Sequence, residues 1–240
     1  RNATLAIEYD DSFQIDDLVW AHYHNGVAAG LRIIKDVKNP VTRTWIVYNR
    51  PKDDELTYTH AGFLLGIGLQ HGLSALAPSD FYWYLSQNHL AVTISLLLGL
   101  SASKRGSMDI AASKMICSHI PSLLPPGFAE IDIPIKVQIS ALLSLGLLYQ
   151  GSCHRLMAEV LLHEIGRRPQ VSPSQQNQPN TDGFGTESES YALSAGLALG
   201  LVCLGQGASH VTLQDLQIDR HLLQYMMGGK HFKMSFEDEL

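Results

Sequence analysis

The amino-acid sequence predicts an all-α fold, a solenoid or toroid segment of stacked helix–turn–helix units, and three observations predict it. The first is a recurring glycine-centred apolar segment. It appears as Asn25-Gly26-Val27-Ala28-Ala29-Gly30-Leu31, Ala61-Gly62-Phe63-Leu64-Leu65-Gly66-Ile67, Ile94-Ser95-Leu96-Leu97-Leu98-Gly99-Leu100, Ala141-Leu142-Leu143-Ser144-Leu145-Gly146-Leu147 and Ala195-Gly196-Leu197-Ala198-Leu199-Gly200-Leu201. The second is its period: Gly30, Gly66, Gly99, Gly146 and Gly200 are separated by 36, 33, 47 and 54 residues. The shorter steps match a helix–turn–helix unit of roughly 33–40 residues, and the longer ones the same unit with insertions. The third is composition: 45% of the 240 residues are apolar, enough to bury a sizeable core. Residues 1–240 therefore read as one repeat-domain segment of about five repeats.

Taken in order, Asp16 caps a first helix running to about Ile34. Thr44-Trp45-Ile46-Val47-Tyr48 is β-branched and aromatic and predicts a short strand or extended link over 44–48. In the third repeat, 89–103 is an apolar helix, Gly106 a turn, and Ser107 the cap of a helix through Met108, Ala111, Met115 and Ile116. In the fourth, 135–149 is apolar nearly all round and so buried on more than one side. Gly151 marks its turn, and 152–165 forms the second helix before Gly166 and Pro169. Residues 167–188 are rich in Gln, Ser, Pro, Asn and Gly and predict a flexible insertion loop. Thr186 and Glu189 then form a capping box opening a helix over 190–204. Gly207 turns the chain, and a helix over 220–227 stops at Gly228-Gly229.

Nine glycines fall inside predicted helices: Gly26, Gly30, Gly62, Gly66, Gly68, Gly99, Gly146, Gly196 and Gly200. Each costs about 1 kcal/mol relative to alanine. Their sum approaches the net stability of a whole domain, roughly 5–15 kcal/mol, so something must offset it. Glycines four apart leave a bare strip on one helix face. Neighbouring helices can then approach to backbone contact and gain dispersion energy. On this reading Gly200→Leu should destabilise far more than Gly185→Leu.

Net charge is −6 and no basic stripe exists, which argues against a nucleic-acid partner. The longest apolar runs, 139–149 and 191–205, fall short of the roughly 18–20 residues of a membrane span and read as buried helices. Cys117, Cys153 and Cys203 form no CxxC pair and suit a reducing compartment. The chain starts at Arg1 with no initiator methionine or signal peptide and reads as an excised segment.

Motifs that could carry chemistry are incomplete. His163-Glu164 opens a zincin-like pattern, but Arg167 stands where the second histidine is required. His22 and His24 point about 200° apart on a helix and cannot easily share a metal. Cys117 with His119, and Cys153 with His154, lack the three or four converging ligands that zinc needs. Asp53, Asp54 and Glu55 read as a solvated turn. Phe81-Tyr82-Trp83-Tyr84 is either a packed outer helix or a partner-facing hot spot, since Trp and Tyr are enriched at such spots. Ser172, before Pro173 in the loop, is a candidate phosphosite whose phosphate would add about −1.5 to −2 charge.

The chain resembles the proteasome/cyclosome (PC) repeat family, shared by two large non-ATPase subunits of the proteasome regulatory particle and the largest subunit of the anaphase-promoting complex. The finer similarity is to the latter. It rests on Asp17-Leu18-Val19-Trp20 with His24 to Leu31, Trp45-Ile46-Val47-Tyr48-Asn49, and His119-Ile120-Pro121-Ser122-Leu123-Leu124-Pro125-Pro126. It continues through Ala158-Glu159-Val160-Leu161-Leu162, Glu164-Ile165-Gly166-Arg167, 191–205, and Gln224-Tyr225-Met226 with Gly228-Gly229. The resemblance implies a helical toroid that scaffolds a multi-subunit ubiquitin ligase marking cell-cycle regulators for proteolysis. It implies a non-catalytic role in the nucleus and cytoplasm, with no cofactor, metal or small-molecule substrate. The expected partners are other subunits of the complex and its substrate-recruiting coactivator. Two departures stand out. About five repeats make an arc with unprotected end faces, and Ser95 and Leu142 replace the first glycine of their segments. The alternatives are a scaffold of the proteasome regulatory particle and, from another class, a helical metal-dependent hydrolase using the histidines.

Overall fold

Helices alternate in two series along the computed structural model, which describes residues 18–33, 41–51, 56–125, 127, 132–167, 182–205 and 211–227. The first series is α1 (Val19–Ile33), α3 (Tyr58–Leu69), α5 (Leu90–Ser103), α7 (Ile135–Leu148) and α9 (Asp182–Val202). The second is α2 (Arg43–Tyr48), α4 (Pro78–Ser86), α6 (Ile110–Cys117), α8 (Arg155–Gly166) and α10 (Ile218–Met227). Each odd helix packs against the next odd helix, α1 on α3 through to α7 on α9, while α4, α6 and α8 pack on α5, α7 and α9. Helices of the first series between two neighbours must be apolar on opposite faces. Leu64 and Ile67 of α3, Leu96 and Leu97 of α5, and Leu142 and Leu145 of α7 are almost wholly buried. One continuous hydrophobic cluster runs from Ile46 to Leu213. Among the described residues no strand occurs, and no helix is long and apolar enough to cross a membrane.

The turns after the odd helices join successive repeats through main chain. Gly106 N–H donates to Leu147 O at 3.0 Å and Met108 N–H to Leu148 O at 3.1 Å. One repeat later, Gly151 N–H donates to Leu201 O at 2.9 Å and Cys153 N–H to Val202 O at 3.0 Å. These bonds satisfy carbonyls that a helix C-terminus otherwise leaves orphaned. They need left-handed backbone at Gly106 (φ +69°) and Gly151 (φ +67°), which glycine adopts without steric cost. After α3 the same position is His71, at φ 67°. There the bridge is made by side chains: His71 Nδ1 lies 3.0 Å from Ser103 O, and Ser103 Oγ donates to Gly68 O at 2.9 Å.

Several boundaries differ from the sequence reading. Residues 44–48 are not an extended link but lie within helix α2. Thr42 caps it by accepting from Trp45 N–H, Asn49 closes it on Trp45 O, and Ile46 is wholly buried. Caps and burial outweigh a β-branched propensity penalty of only a few tenths of a kcal/mol per residue. Asp109, not Ser107, caps α6, its Oδ1 accepting from Ala112 N–H at 2.8 Å. The helix predicted to open at 186–189 begins at Asp182, so the insertion loop ends there and not at 188. Once α9 is anchored on α7 and α8, helix propagates upstream at little cost. Residues 168–181 of that loop, Asp16, Asp53, Asp54, Glu55, Ser172, Gly207, Gly228 and Gly229 lie outside the described residues.

Candidate functional site

The stacking faces of the odd helices are built from glycine. Between α1 and α3, a Cβ placed on Gly26 would overlap the Thr59 carbonyl oxygen, and one on Gly62 would overlap that of Tyr23. A Cβ on Gly30 would lie 2.6 Å from Phe63 O and 2.9 Å from Gly66 Cα, and one on Gly66 would lie 3.0 Å from Gly30 Cα. Two glycine strips therefore interlock, backbone on backbone. Between α3 and α5 the pair is Gly68 and Gly99, where a Cβ on Gly68 would overlap the Gly99 backbone. Between α7 and α9, a Cβ on Gly146 would meet Ala198 Cα at 2.6 Å. Ser95, which replaces the first glycine in α5, is wholly buried and bonds Tyr23 Oη at 2.9 Å.

The expectation of close packing fails at the last two glycines. A Cβ on Gly196 would find only Ile165 Cδ1, at 4.0 Å, and one on Gly200 would find nothing within 4 Å. The reason is positional. Of the residues aligned with Gly200, Gly66 and Gly99 face the preceding odd helix, whereas Gly30 and Gly146 face the following one; Gly200 meets no helix, and no described helix covers α9 on its outer side. Gly200→Leu is therefore not the severe lesion the glycine count alone suggests. The same face exposes Leu193, Leu197 and Leu204, each more than half accessible. With Gly196 and Gly200 they form an apolar stripe with a bare centre. At the other end α1 exposes Trp20, stacked on His24 at 5.6 Å between ring centroids.

The aromatic run of α4 divides by helix geometry. Phe81 and Tyr84, three apart, are buried, and Trp83 is half-buried, so they belong to the core and not to a partner-facing cluster. Only Tyr82 is exposed. A polar hub fixes this helix. Asp80 accepts from Arg43 at 2.6 and 3.1 Å, from Arg50 at 3.4 Å and from Ala77 N–H at 3.0 Å. The Arg43 hydrogen bond, above all, holds the Asp80 carboxyl below the ordinary carboxylate range. The Arg50 guanidinium sits 4.1 Å from the Trp83 ring centroid and 4.7 Å from that of Tyr84. Tyr84 Oη lies 3.1 Å from His60 Nε2, and burial, then Arg50 and His89, pushes His60 down to about 4. Nothing in the sequence pattern singled out Asp80 or His60, because their side-chain partners lie 20 or more residues away.

The remaining sequence candidates do structural work. His154 caps α8 by accepting from Met157 N–H, and His89 caps α5 through Val92 N–H. His119 Nδ1 lies 2.9 Å from Met115 O. His22 and His24 are exposed on α1. His163 is exposed, whereas Glu164 is buried and accepts from Tyr191 Oη at 2.5 Å and Arg167 at 3.4 Å. Among the described residues no group of three or more His, Cys, Asp or Glu converges on a metal-sized site. An open groove of about 1060 Å³ runs between Pro121–Leu123, α8 and Asp215-Leu216, with Arg155 paired to Asp215 at its rim.

Comparison with known proteins places this architecture. Residues 1–105 match a family described as the APC1 fourth domain and residues 110–239 one described as the APC1 fifth domain. The two matches meet at the Gly106 turn, across which the hydrophobic cluster is continuous. The chain is 47% identical over 210 residues to the Anaphase-promoting complex subunit 1 of Homo sapiens, covering 88% of the chain and 10% of that protein. It is 43% identical over 209 residues to the subunit of the same name from Dictyostelium discoideum, covering 87% of the chain and 9% of that protein. It is 38% identical over 224 residues to a protein of Emericella nidulans named Negative regulator of mitosis, covering 93% and 10%. The chain thus spans about a tenth of the length of these relatives.

Proposed function

Because this chain belongs to the anaphase-promoting complex subunit 1 family, we propose that it is a non-catalytic scaffold segment of that complex, a cell-cycle E3 ubiquitin ligase. The observation that carries this reading is the serial stack of odd helices locked by Gly26, Gly30, Gly62, Gly66, Gly68, Gly99 and Gly146. Such a stack gives an extended, rigid surface, which suits holding other proteins at fixed relative positions. The units are of the PC-repeat class. The uncovered face of α9, with Leu193, Leu197, Leu204, Gly196 and Gly200, receives a further helix of the same kind in the longer protein. The outer helices contact other subunits and the coactivator side of the assembly, in the nucleus and cytoplasm. Affinity capture of the full-length parent protein from its own cells, with mass spectrometry of what is recovered, tests the reading. Cullin-like and RING ubiquitin-ligase subunits are the expected partners. Recovery of proteasome ATPases, or of no large assembly, would overturn it.

A further inference from the structure

We propose that Cys153 and Cys203 are an inter-repeat thiol pair that closes to a disulfide under sustained peroxide exposure and staples the α7–α8 turn to the end of α9. Both cysteines are free, Cys153 buried and Cys203 half-buried. The turn's main-chain bonds set their approach. Cys153 N–H donates at 3.0 Å to the carbonyl of Val202, the residue bonded to Cys203. Standard bond lengths across that link keep the two Cα atoms within about 7 Å of each other, near the upper end of what a disulfide spans. Gly151 N–H on Leu201 O, 2.9 Å, fixes the register one step earlier.

The chemistry balances with hydrogen peroxide as the oxidant. Cys203, the more accessible thiol, attacks one peroxide oxygen as its thiolate; the O–O bond breaks, and a sulfenic acid and hydroxide result. The Cys153 thiolate attacks that sulfur, the S–S bond forms, and a second hydroxide leaves. The two thiol protons convert both hydroxides to water, so one peroxide is reduced as two thiols are oxidised. Burial, then the neighbouring Cys153, pushes the Cys203 thiol up. Little thiolate is present at neutral pH, so closure is slow and accelerates as pH rises. The third cysteine, Cys117 on α6, provides an internal control.

The test uses the parent protein in its native assembly, exposed to hydrogen peroxide, alkylated and digested with trypsin without reduction. The expected result is a cross-linked pair of peptides holding Cys153 and Cys203 that dithiothreitol separates, with Cys117 still alkylated. Cleavage after Arg167 should leave the flanking fragments joined until reduction. Cys203→Ser should abolish the cross-link and Cys117→Ser should leave it intact. Full alkylation of Cys153 and Cys203 after treatment that oxidises an added exposed thiol would overturn the proposal. So would a Cys203 linked to glutathione or another chain with Cys153 still reduced.

Discussion

The α1–α3 junction carries both glycines of the repeat on each helix, whereas the α7–α9 junction has Leu142 in place of one, and the two junctions use their glycines differently. In the first, four glycines on two helices interlock, and an added methyl group would collide with immovable main chain at Gly26, Gly30, Gly62 and Gly66. In the second, Gly146 alone faces the partner helix, against Ala198, while Gly196 and Gly200 look outward. The α7–α9 junction draws its remaining hold from other sources. Two main-chain bonds from the Gly151 turn and the buried Glu164–Tyr191 pair, which ties α8 to α9, supply it. A glycine strip therefore marks one face of a helix, and the neighbour decides whether that face is spent on packing or left open.

The sharpest way to break this comparison is to add one methyl group at each end. Gly62→Ala should destabilise by about 3 kcal/mol or more, because the colliding atom is the Tyr23 carbonyl and cannot rotate away. Thermal melts of Gly62→Ala and Gly200→Ala giving equal midpoints would remove the distinction altogether.

Acid should then separate the two junctions. His60 stays neutral in the fold down to about 4, whereas the unfolded chain takes up its proton near 6.5. Its neutral burial is harmless above pH 6.5, and stability falls as pH drops from 6.5 to 4, by on the order of 3 kcal/mol. His60→Phe should flatten that slope in melts recorded across the window. An unchanged slope would mean that the α3–α4 contact is not where acid acts.

At the other junction, Tyr191→Phe removes a hydroxyl bonded to a buried carboxylate. The expected loss is about 2 kcal/mol in denaturant titrations. A loss below about 0.5 kcal/mol would show that Arg167 alone satisfies Glu164. The smallest effect belongs to Gly200→Ala, which meets open space and should gain up to about 1 kcal/mol from helix propensity. That gain is expected in the 240-residue segment; in the full-length protein a loss is expected instead, where the further helix proposed to cover α9 would meet the added methyl group.

The odd helices were legible in the sequence because their burial on two sides forces apolar residues all round, and because a glycine strip has few uses other than close approach. The even helices were less legible. Residues 44–48, five of the six in α2, read as a short strand or extended link by residue type, and their helicity comes from the Thr42 cap and from Ile46 finding a core, which no local pattern displays. Four consecutive aromatics fitted a packed outer helix, with a partner-facing hot spot as the alternative. Helical rotation settles it, placing Phe81 and Tyr84 inside and Tyr82 outside. The left-handed backbone of Met108 and Cys153, at φ 54° and 46°, was hidden because neither residue advertises that conformation as glycine does. The Asp80 hub draws its ligands from α2 and the segment after it, a distance that periodicity cannot bridge.

The main-chain bonds of the Gly106 and Gly151 turns also say where this protein can lengthen over evolution. Each turn is pinned to the next repeat by two bonds of fixed register, so an added residue there would break both. The connection from α8 to α9 leaves Arg167 in extended backbone, and among the described residues no such bond to the next repeat is made there. The long steps between Gly99, Gly146 and Gly200 contain their extra residues without disturbing either turn. New sequence can accumulate there, free to acquire its own recognition chemistry, while the Gly106 and Gly151 turns keep their length.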